Sequence, residues 1–303
     1  MSEIDPQHST SPNFGRKTFV GIGAAGALAA ASLHAARAQT VQLGKVHAPL
    51  VAEDDPDISV EHVQLTRPDA RIGVYAAAPK NASASTPGVV VVMHIWGVDT
   101  SIRDMVRRLA KIGYAAIAPD LFARYNPPTG DGATDYTPFA AFSAKLSDAQ
   151  VDGDLRSGAE WLRSRYPQGK RGVMGFCMGG AITLRQTVDA TDIFSAASVF
   201  YGKVRYSTGS GAGSVQGPAT RMALAYSDEI GIPLQGSWGE RDTSIPAADV
   251  RQLATQLKVP HDIKVYPEAG HAFMDDQRDS YVASAATDAW ERLQSFFAKY
   301  LRP

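Results

Sequence analysis

The segment Gly172-Val173-Met174-Gly175-Phe176-Cys177-Met178-Gly179-Gly180-Ala181-Ile182 carries the strongest structural signal in the chain. It opens as an apolar strand, closes as the start of a helix, and contains the pattern G-x-C-x-G between the two. This is the nucleophile-elbow pattern G-x-S-x-G with cysteine in the serine position, and its glycines permit a tight turn. A thiol at a helix N-terminus is favoured as a thiolate. The segment therefore predicts a cysteine nucleophile at the carboxyl end of a buried strand.

Strands and helices alternate on both sides of this elbow. We expect an antiparallel hairpin at 58–66 and 71–77, then buried strands at 89–93, 114–118, 171–175, 195–201, 232–237 and 262–266. Helices are expected at 101–112, 148–165, 178–190, 247–257 and 281–300. Such alternation is typical of an α/β fold with a mostly parallel, twisted sheet and helices on both faces. The stretches 124–147 and 203–222 interrupt it, and we expect both to be long loops that wall a substrate pocket.

Two further residues follow Cys177 in the order nucleophile, acid, histidine that α/β-hydrolases share. Asp242 follows an apolar strand, and His271 follows the next one. His271 would accept the thiol proton and later protonate the leaving group, while Asp242 would orient its imidazole. The backbone N–H of Met178 would face a developing oxyanion. We therefore expect Cys177, His271 and Asp242 to be the catalytic residues.

The chain resembles the dienelactone hydrolase (carboxymethylenebutenolidase) family from about Val60 to Leu301. The segments that carry the resemblance are Val89–Gly97, Pro119-Asp120-Leu121-Phe122-Ala123-Arg124, Gly175–Gly180, Gly239–Asp242 and Glu268–Phe273. The resemblance implies an α/β-hydrolase fold and a triad of Cys177, His271 and Asp242 that needs no cofactor. It also implies an oxyanion hole formed by the N–H groups of Met178 and Ile95. Arg124 would contact a substrate carboxylate, a task that suits its bidentate guanidinium.

Two positions depart from the family pattern. Where the family has a glutamate thought to help ionise the thiol when substrate binds, this chain has His94. A neutral imidazole there could accept a proton, or His94 could simply pack at the sheet edge. Where the family has a second arginine beyond the catalytic histidine, this chain has Met274-Asp275-Asp276, and Asp275 would repel a substrate carboxylate unless Arg124 or another cation compensated.

Two aromatic residues near the elbow are candidates for lining a pocket. Trp96 follows the strand 89–93, and Tyr136 lies in the expected loop 124–147. Aromatic side chains in such loops also serve packing alone, so both interpretations stay open.

The first residues of the chain are typical of an export signal. Gly15-Arg16-Lys17 precedes an apolar run at 21–33, and Ala36-Arg37-Ala38 supplies a small-residue cleavage site. The segment is similar to a twin-arginine signal in which Lys17 replaces the second arginine. The run is short for a membrane span, although a retained anchor is the alternative. We expect a signal peptide at 1–38, a linker or surface arm at 39–57, a single domain at 58–303, and a periplasmic protein exported by the twin-arginine machinery without stable membrane insertion.

The charge and the histidine spacing of the chain argue against two classes of function. A formal net charge of -1 gives no basic surface for nucleic acid, and the seven histidines show no metal-ligand spacing. The expected function is hydrolysis of a small carboxylic ester or lactone through a thioacyl-enzyme, with no metal and no cofactor. One alternative is a broad carboxylesterase or thioesterase. The other is an exported binding protein that keeps the fold without turnover.

Overall fold

The computed structural model describes residues 47–205 and 223–303, and their strands form one eight-stranded sheet. The strands are β1 (Ile58–Thr66), β2 (Arg71–Pro79), β3 (Gly88–Val92), β4 (Ala115–Pro119), β5 (Arg171–Phe176), β6 (Ala196–Phe200), β7 (Leu234–Gly239) and β8 (His261–Tyr266). Their order across the sheet is β1-β2-β4-β3-β5-β6-β7-β8. The pairs β1–β2 and β2–β4 are antiparallel, and the pairs from β4 to β8 are parallel. The mostly parallel sheet expected from the sequence is confirmed.

Six α-helices of the described chain accompany the sheet: α1 (Thr100–Lys111), α2 (Thr137–Ser143), α3 (Asp148–Arg165), α4 (Met178–Asp189), α5 (Ala247–Gln256) and α6 (Ala283–Leu301). The central strands β3, β4 and β6 are buried at every position, which is why their sequences are almost entirely apolar. Helix α3 begins where expected because Ser147 and Gln150 form a capping box that satisfies its first backbone N–H groups. The sheet therefore delivers the loops after β3, β5, β6, β7 and β8 to one edge.

The stretch 124–147 is not the continuous loop expected from its prolines and glycines. It contains the helix α2, and a 3-10 turn at Ala123–Tyr125 precedes it. Pro138 fits the first turn of α2, where its missing N–H costs nothing, and Phe139 is buried. Burial of this one aromatic side chain gives a short helix the tertiary contact that it needs. Of the second expected loop, 206–222 lies outside the described residues.

The described part of the expected arm, residues 47–57, is attached to α1. Asp104 is completely buried and accepts the backbone N–H groups of Leu50 and Val51, both at 2.9 Å. Arg107 donates its Nε–H to the carbonyl of Val51, and Arg108 forms an ion pair with Asp104. The backbone groups of the arm therefore bind to side chains of α1, and the two N–H groups share the buried carboxylate of Asp104.

The signal peptide expected at 1–38 lies outside the described residues. Among the helices in the two described ranges, none has the length and apolarity that crossing a membrane requires.

Removal of the Asp104 carboxylate should destabilise the protein. Asp104→Ala leaves the guanidinium groups of Arg107 and Arg108 and two backbone donors without their buried partner, so we expect the free energy of unfolding to fall by about 3 kcal/mol. Urea denaturation followed by tryptophan fluorescence measures this. Asp57→Ala is the control, because its ion pair with Lys111 is exposed and such pairs contribute little. Equal denaturation midpoints for the two variants would contradict the role given to Asp104.

Candidate active site

Cys177 lies between β5 and α4 in a strained backbone conformation. Its φ is 54° and its ψ is -114°, a region that residues other than glycine rarely occupy. Its backbone N–H donates to the carbonyl of Phe200 at the end of β6, at 3.0 Å. The turn lifts the thiol away from the strand and places it at the N-terminus of α4.

Two glycines make this turn possible. A Cβ atom at Gly175 would lie 2.2 Å from the carbonyl oxygen of Gly179, a distance that no side chain tolerates. A Cβ at Gly179 would lie 2.3 Å from the carbonyl oxygen of Val92 and 2.5 Å from that of Met93. The start of α4 is therefore pressed against the end of β3, which brings the residues after Met93 beside the thiol.

His271 joins Cys177 to Asp242. Its Nε2 lies 3.1 Å from the sulfur of Cys177, and its Nδ1 lies 2.6 Å from Oδ2 of Asp242. The other oxygen of Asp242 accepts the backbone N–H and the hydroxyl of Ser244 at 2.9 and 2.7 Å, and the N–H of Ile245 at 3.2 Å. Because Asp242 accepts all of these bonds, it is held as a carboxylate, and Nδ1 of His271 carries a hydrogen.

The three groups support each other's charges. Burial works against the imidazolium of His271, but the Cys177 thiolate and the Asp242 carboxylate outweigh it and raise the pKa of His271 to about 10. Burial also works against the Cys177 thiolate, yet His271 and, to a smaller extent, His94 bring the pKa of the thiol below its ordinary value. Burial would likewise raise the pKa of Asp242, which its bonds from His271 and Ser244 keep low. The arrangement favours a thiolate–imidazolium pair.

His94 is buried at the end of β3 between two carboxylates. Its Nε2 lies 2.9 Å from Oδ1 of Asp99, although off the direction of a hydrogen bond, and its Nδ1 lies 3.8 Å from Oδ2 of Asp275. Burial would lower the pKa of His94, but Asp99 first and Asp275 after it raise the pKa above its ordinary value. The carboxylates therefore favour the charged imidazole over the neutral base that the sequence suggested.

Arg278 completes this group and joins it to the loop before α2. Its guanidinium donates to Asp275 at 3.1 Å and to Asp99 at 3.5 Å. It also donates to the carbonyl of Ala133 at 2.8 Å and lies over the ring of Trp96, 4.2 Å from its centroid. Arg278, together with His94, supplies the positive charge beside Asp275 that the sequence analysis required.

Trp96 and Tyr136, the two aromatic candidates for lining a pocket, lie near the loop before α2. Trp96 is half-buried and packs edge-to-face on Phe139 of α2, with ring centroids 5.4 Å apart. Tyr136 directly precedes α2, and 61% of its surface is exposed. Trp96 thus takes part in packing, and contact of either ring with a substrate stays a prediction.

Arg124 is bound by two other carboxylates of the chain. Its guanidinium donates to Asp69 in the β1–β2 turn at 2.7 and 3.0 Å, and to Asp154 of α3 at 2.6 and 3.0 Å. These hydrogen bonds raise the pKa of Arg124 and occupy its Nε and both terminal nitrogens. A substrate carboxylate would have to displace Asp69 or Asp154, so the substrate contact inferred for Arg124 stays a prediction.

The two expected oxyanion donors are at the same edge of the sheet as the thiol. The N–H of Met178, at the first position of α4, is among the groups that lower the pKa of the Cys177 thiol. Ile95 directly follows His94. Binding of an oxyanion by these two N–H groups stays a prediction.

Three residues of the site were missed by sequence reasoning. Tyr201 follows β6 with a φ of 41°, and its ring centroid lies 5.2 Å from that of His271. Asp99 could have been noticed as the N-cap of α1, where it accepts the N–H of Ile102. Arg278 lies seven positions after His271, and no motif in the sequence marks it. In the part of the chain that the structure describes, no three acidic, histidine or cysteine side chains are grouped so as to hold a metal ion.

The amino-acid sequence of the chain matches known proteins. Residues 72–301 match the model of the "Dienelactone hydrolase family". A "Putative carboxymethylenebutenolidase" of Escherichia coli strain K12 is 37% identical over 230 residues, which are 75% of this chain and 82% of that protein. A protein of the same name from Synechocystis is 34% identical over 261 residues, which cover 81% of this chain and 99% of its own length.

A solved structure agrees with these sequence matches. The crystal structure of a "Putative Dienelactone Hydrolase" from Klebsiella pneumoniae superposes with a TM-score of 0.70. It is 33% identical, and the match covers 80% of this chain and 99% of that one.

Proposed function

Because this chain belongs to the dienelactone hydrolase family of hydrolases, we propose that it cleaves a carboxylic ester or lactone through a thioacyl-enzyme formed on Cys177. The observation that carries the proposal is the continuous contact from the Cys177 sulfur through His271 to Asp242, at 3.1 and 2.6 Å. Nucleophile, base and orienting acid in this geometry are the requirements of acyl transfer.

The first half of the reaction forms the thioester. The Cys177 thiolate attacks the carbonyl carbon, and the carbonyl oxygen becomes an oxyanion that the N–H groups of Met178 and Ile95 stabilise. When the carbon–oxygen bond breaks, the imidazolium of His271 gives its proton to the leaving alkoxide. In a lactone this oxygen stays attached to the acyl chain, so ring opening releases no fragment.

The second half returns the enzyme to its starting state. Neutral His271 takes a proton from water, and the resulting hydroxide attacks the thioester carbon. The carbon–sulfur bond breaks, which releases a carboxylic acid and leaves Cys177 as the thiolate beside imidazolium. Asp242 keeps the ring of His271 in place through both halves.

The charged side chains beside the thiol are compatible with a small ester or lactone that also carries a carboxylate. Asp275 would repel an anionic substrate, but His94 and Arg278 lie against its carboxylate. The same machinery would serve a broad carboxylesterase or a thioesterase. Comparing turnover of aryl esters, acyl thioesters and cyclic enol lactones distinguishes these substrate classes.

Replacement of Cys177 tests the nucleophile. Cys177→Ala should lower ester and lactone hydrolysis by roughly 10³-fold or more, because the covalent route is lost. Cys177→Ser keeps the shape of the side chain and should retain a small activity, since a hydroxyl is harder to ionise. Turnover of an activated aryl ester and of a cyclic enol lactone measures both, and mass spectrometry should detect an acyl adduct on Cys177.

Two results would contradict the proposal. Full activity of Cys177→Ala would assign the chemistry to another group. Folded protein with an intact thiol, no adduct and no turnover would favour the alternative of a binding protein.

The pH dependence of kcat/KM follows from the ion pair. The lowered pKa of Cys177 means that the thiolate is present below the ordinary thiol pKa of about 8.5, so activity should already be high at neutral pH. The raised pKa of His271 means that the imidazolium persists up to about pH 10, where activity should fall. Asp242→Asn removes the carboxylate and should move this alkaline limb to lower pH. An alkaline limb unchanged in Asp242→Asn would show that it does not report His271.

We also propose that the protein is exported to the periplasm by the twin-arginine route. Support comes from the sequence of residues 1–38, with Arg16-Lys17, the apolar run and Ala36-Arg37-Ala38. Residues 1–45 fused to a folded fluorescent reporter should direct it to the periplasm. Lys17→Arg is expected to maintain or raise export, whereas Arg16→Gln should abolish it. Retention of the unmodified fusion inside the cell would refute this localisation.

A further inference from the structure

The strand register places His94 beside Cys177. β3 and β5 are parallel neighbours, and Val92 is paired with Gly175. Two residues further along each strand are His94 and Cys177. The close approach of Gly179 to the carbonyls of Val92 and Met93 brings the start of α4 against the backbone that leads into His94.

Counting charges indicates that His94 carries a proton. Asp99 and Asp275 are buried, with 5% and 6% of their surfaces exposed. Arg278 contacts both carboxylates but supplies only one positive charge, and its side chain is partly exposed. Arg108 lines the same cavity but pairs with Asp104 and Asp276. His94 lies against both Asp99 and Asp275 and is the group placed to supply the second positive charge. Although burial would raise the pKa of Asp99, His94 keeps it below the ordinary value, whereas burial raises the pKa of Asp275. Asp99 is therefore the carboxylate that chiefly supports a proton on His94.

The other groups around the thiol do not cancel this charge. His271 contributes a second positive charge from the loop after β8, and the N-terminus of α4 contributes the N–H of Met178. Tyr201 approaches from the end of β6, but burial raises its pKa well above 10 and keeps its hydroxyl neutral. Cys177 therefore has two histidines in its surroundings: His271, which is paired with Asp242, and His94, which lies against Asp99 and Asp275.

We infer that His94 acts as a positioning residue that, as an imidazolium, keeps Cys177 ionised in the free enzyme before any substrate binds; this inference rests on the proposed role of Cys177 as the nucleophile. A carboxylate in place of His94 would repel a thiolate. The histidine has the opposite charge. In this chain the thiolate is a permanent feature of the resting site and does not depend on the substrate.

The experiment measures the thiol without any ester or lactone. The full-length protein is treated with iodoacetamide across a range of pH, and mass spectrometry follows the adduct, which is unambiguous because Cys177 is the only cysteine of the sequence. Wild-type protein should react with a midpoint well below the ordinary thiol pKa of about 8.5. His94→Gln should raise the midpoint by about one unit, which makes alkylation roughly tenfold slower at any pH well below both midpoints.

Two further variants separate charge from packing. His94→Glu restores the family residue and should raise the midpoint more than His94→Gln, because it places a negative charge beside the thiolate. His261→Gln is the matched control, since His261 is an exposed histidine at the start of β8 and should leave the midpoint unchanged. Circular dichroism verifies that each variant is folded.

Several outcomes would overturn the inference. A wild-type midpoint near 8.5 would do so alone, even if both His94 variants failed to fold. So would a folded His94→Gln protein with the wild-type midpoint. In either case the proposed function would still stand if Cys177→Ala were inactive. If instead Cys177→Ala were active and His94→Gln had a shifted midpoint, the proposed function would be rejected. The effect of His94 on the ionisation of Cys177 would then still hold.

Discussion

The contact between the first turn of α4 and the end of β3 is the constraint on which the site depends. Backbone meets backbone there because Gly179 has no side chain, and a Cβ atom at this position would lie 2.3 Å from the carbonyl oxygen of Val92. Gly175 serves a second contact of the same kind, between β5 and Gly179. Cys177, two residues before Gly179, has a positive φ of 54°. One packing requirement thus raises the thiol above the sheet edge and brings it within reach of His271.

Two groups of charged side chains lie near the thiol, and they differ in how closely their geometry is defined. His271 and Asp242 form a directed pair, in which one hydrogen bond of 2.6 Å orients the imidazole. His94 belongs to a group of two carboxylates and a guanidinium in which distance matters more than alignment. Burying so many charges is costly unless each has a partner, so such a group contributes little net stability. We infer that this group of charges acts instead on the electrostatic potential at the sulfur of Cys177. Apolar side chains packed in the same place could not act in this way.

Sequence reasoning succeeded where information is local. The G-x-C-x-G pattern lies in one short segment, and the parallel strands follow from apolar runs that can be recognised one by one. It failed where the partners are distant in sequence and no motif marks them. Asp99 and Arg278 are 179 positions apart, and Arg124 is 55 positions from Asp69, so only the folded chain reveals these contacts. The helix α2 was missed because its formation depends on burial of Phe139 and not on any periodic pattern.

The attachment of the arm to α1 has a consequence for sequence variation. Asp104 binds the N–H groups of Leu50 and Val51, and Arg107 binds the carbonyl of Val51, so α1 contacts peptide groups that nearly every amino acid possesses. The side chain of Leu50 itself is 63% exposed. Position 50 can therefore accept almost any residue during evolution with the exception of proline, which lacks the required N–H. Relatives could differ widely in the arm and still share its path, provided that the carboxylate at position 104 is kept.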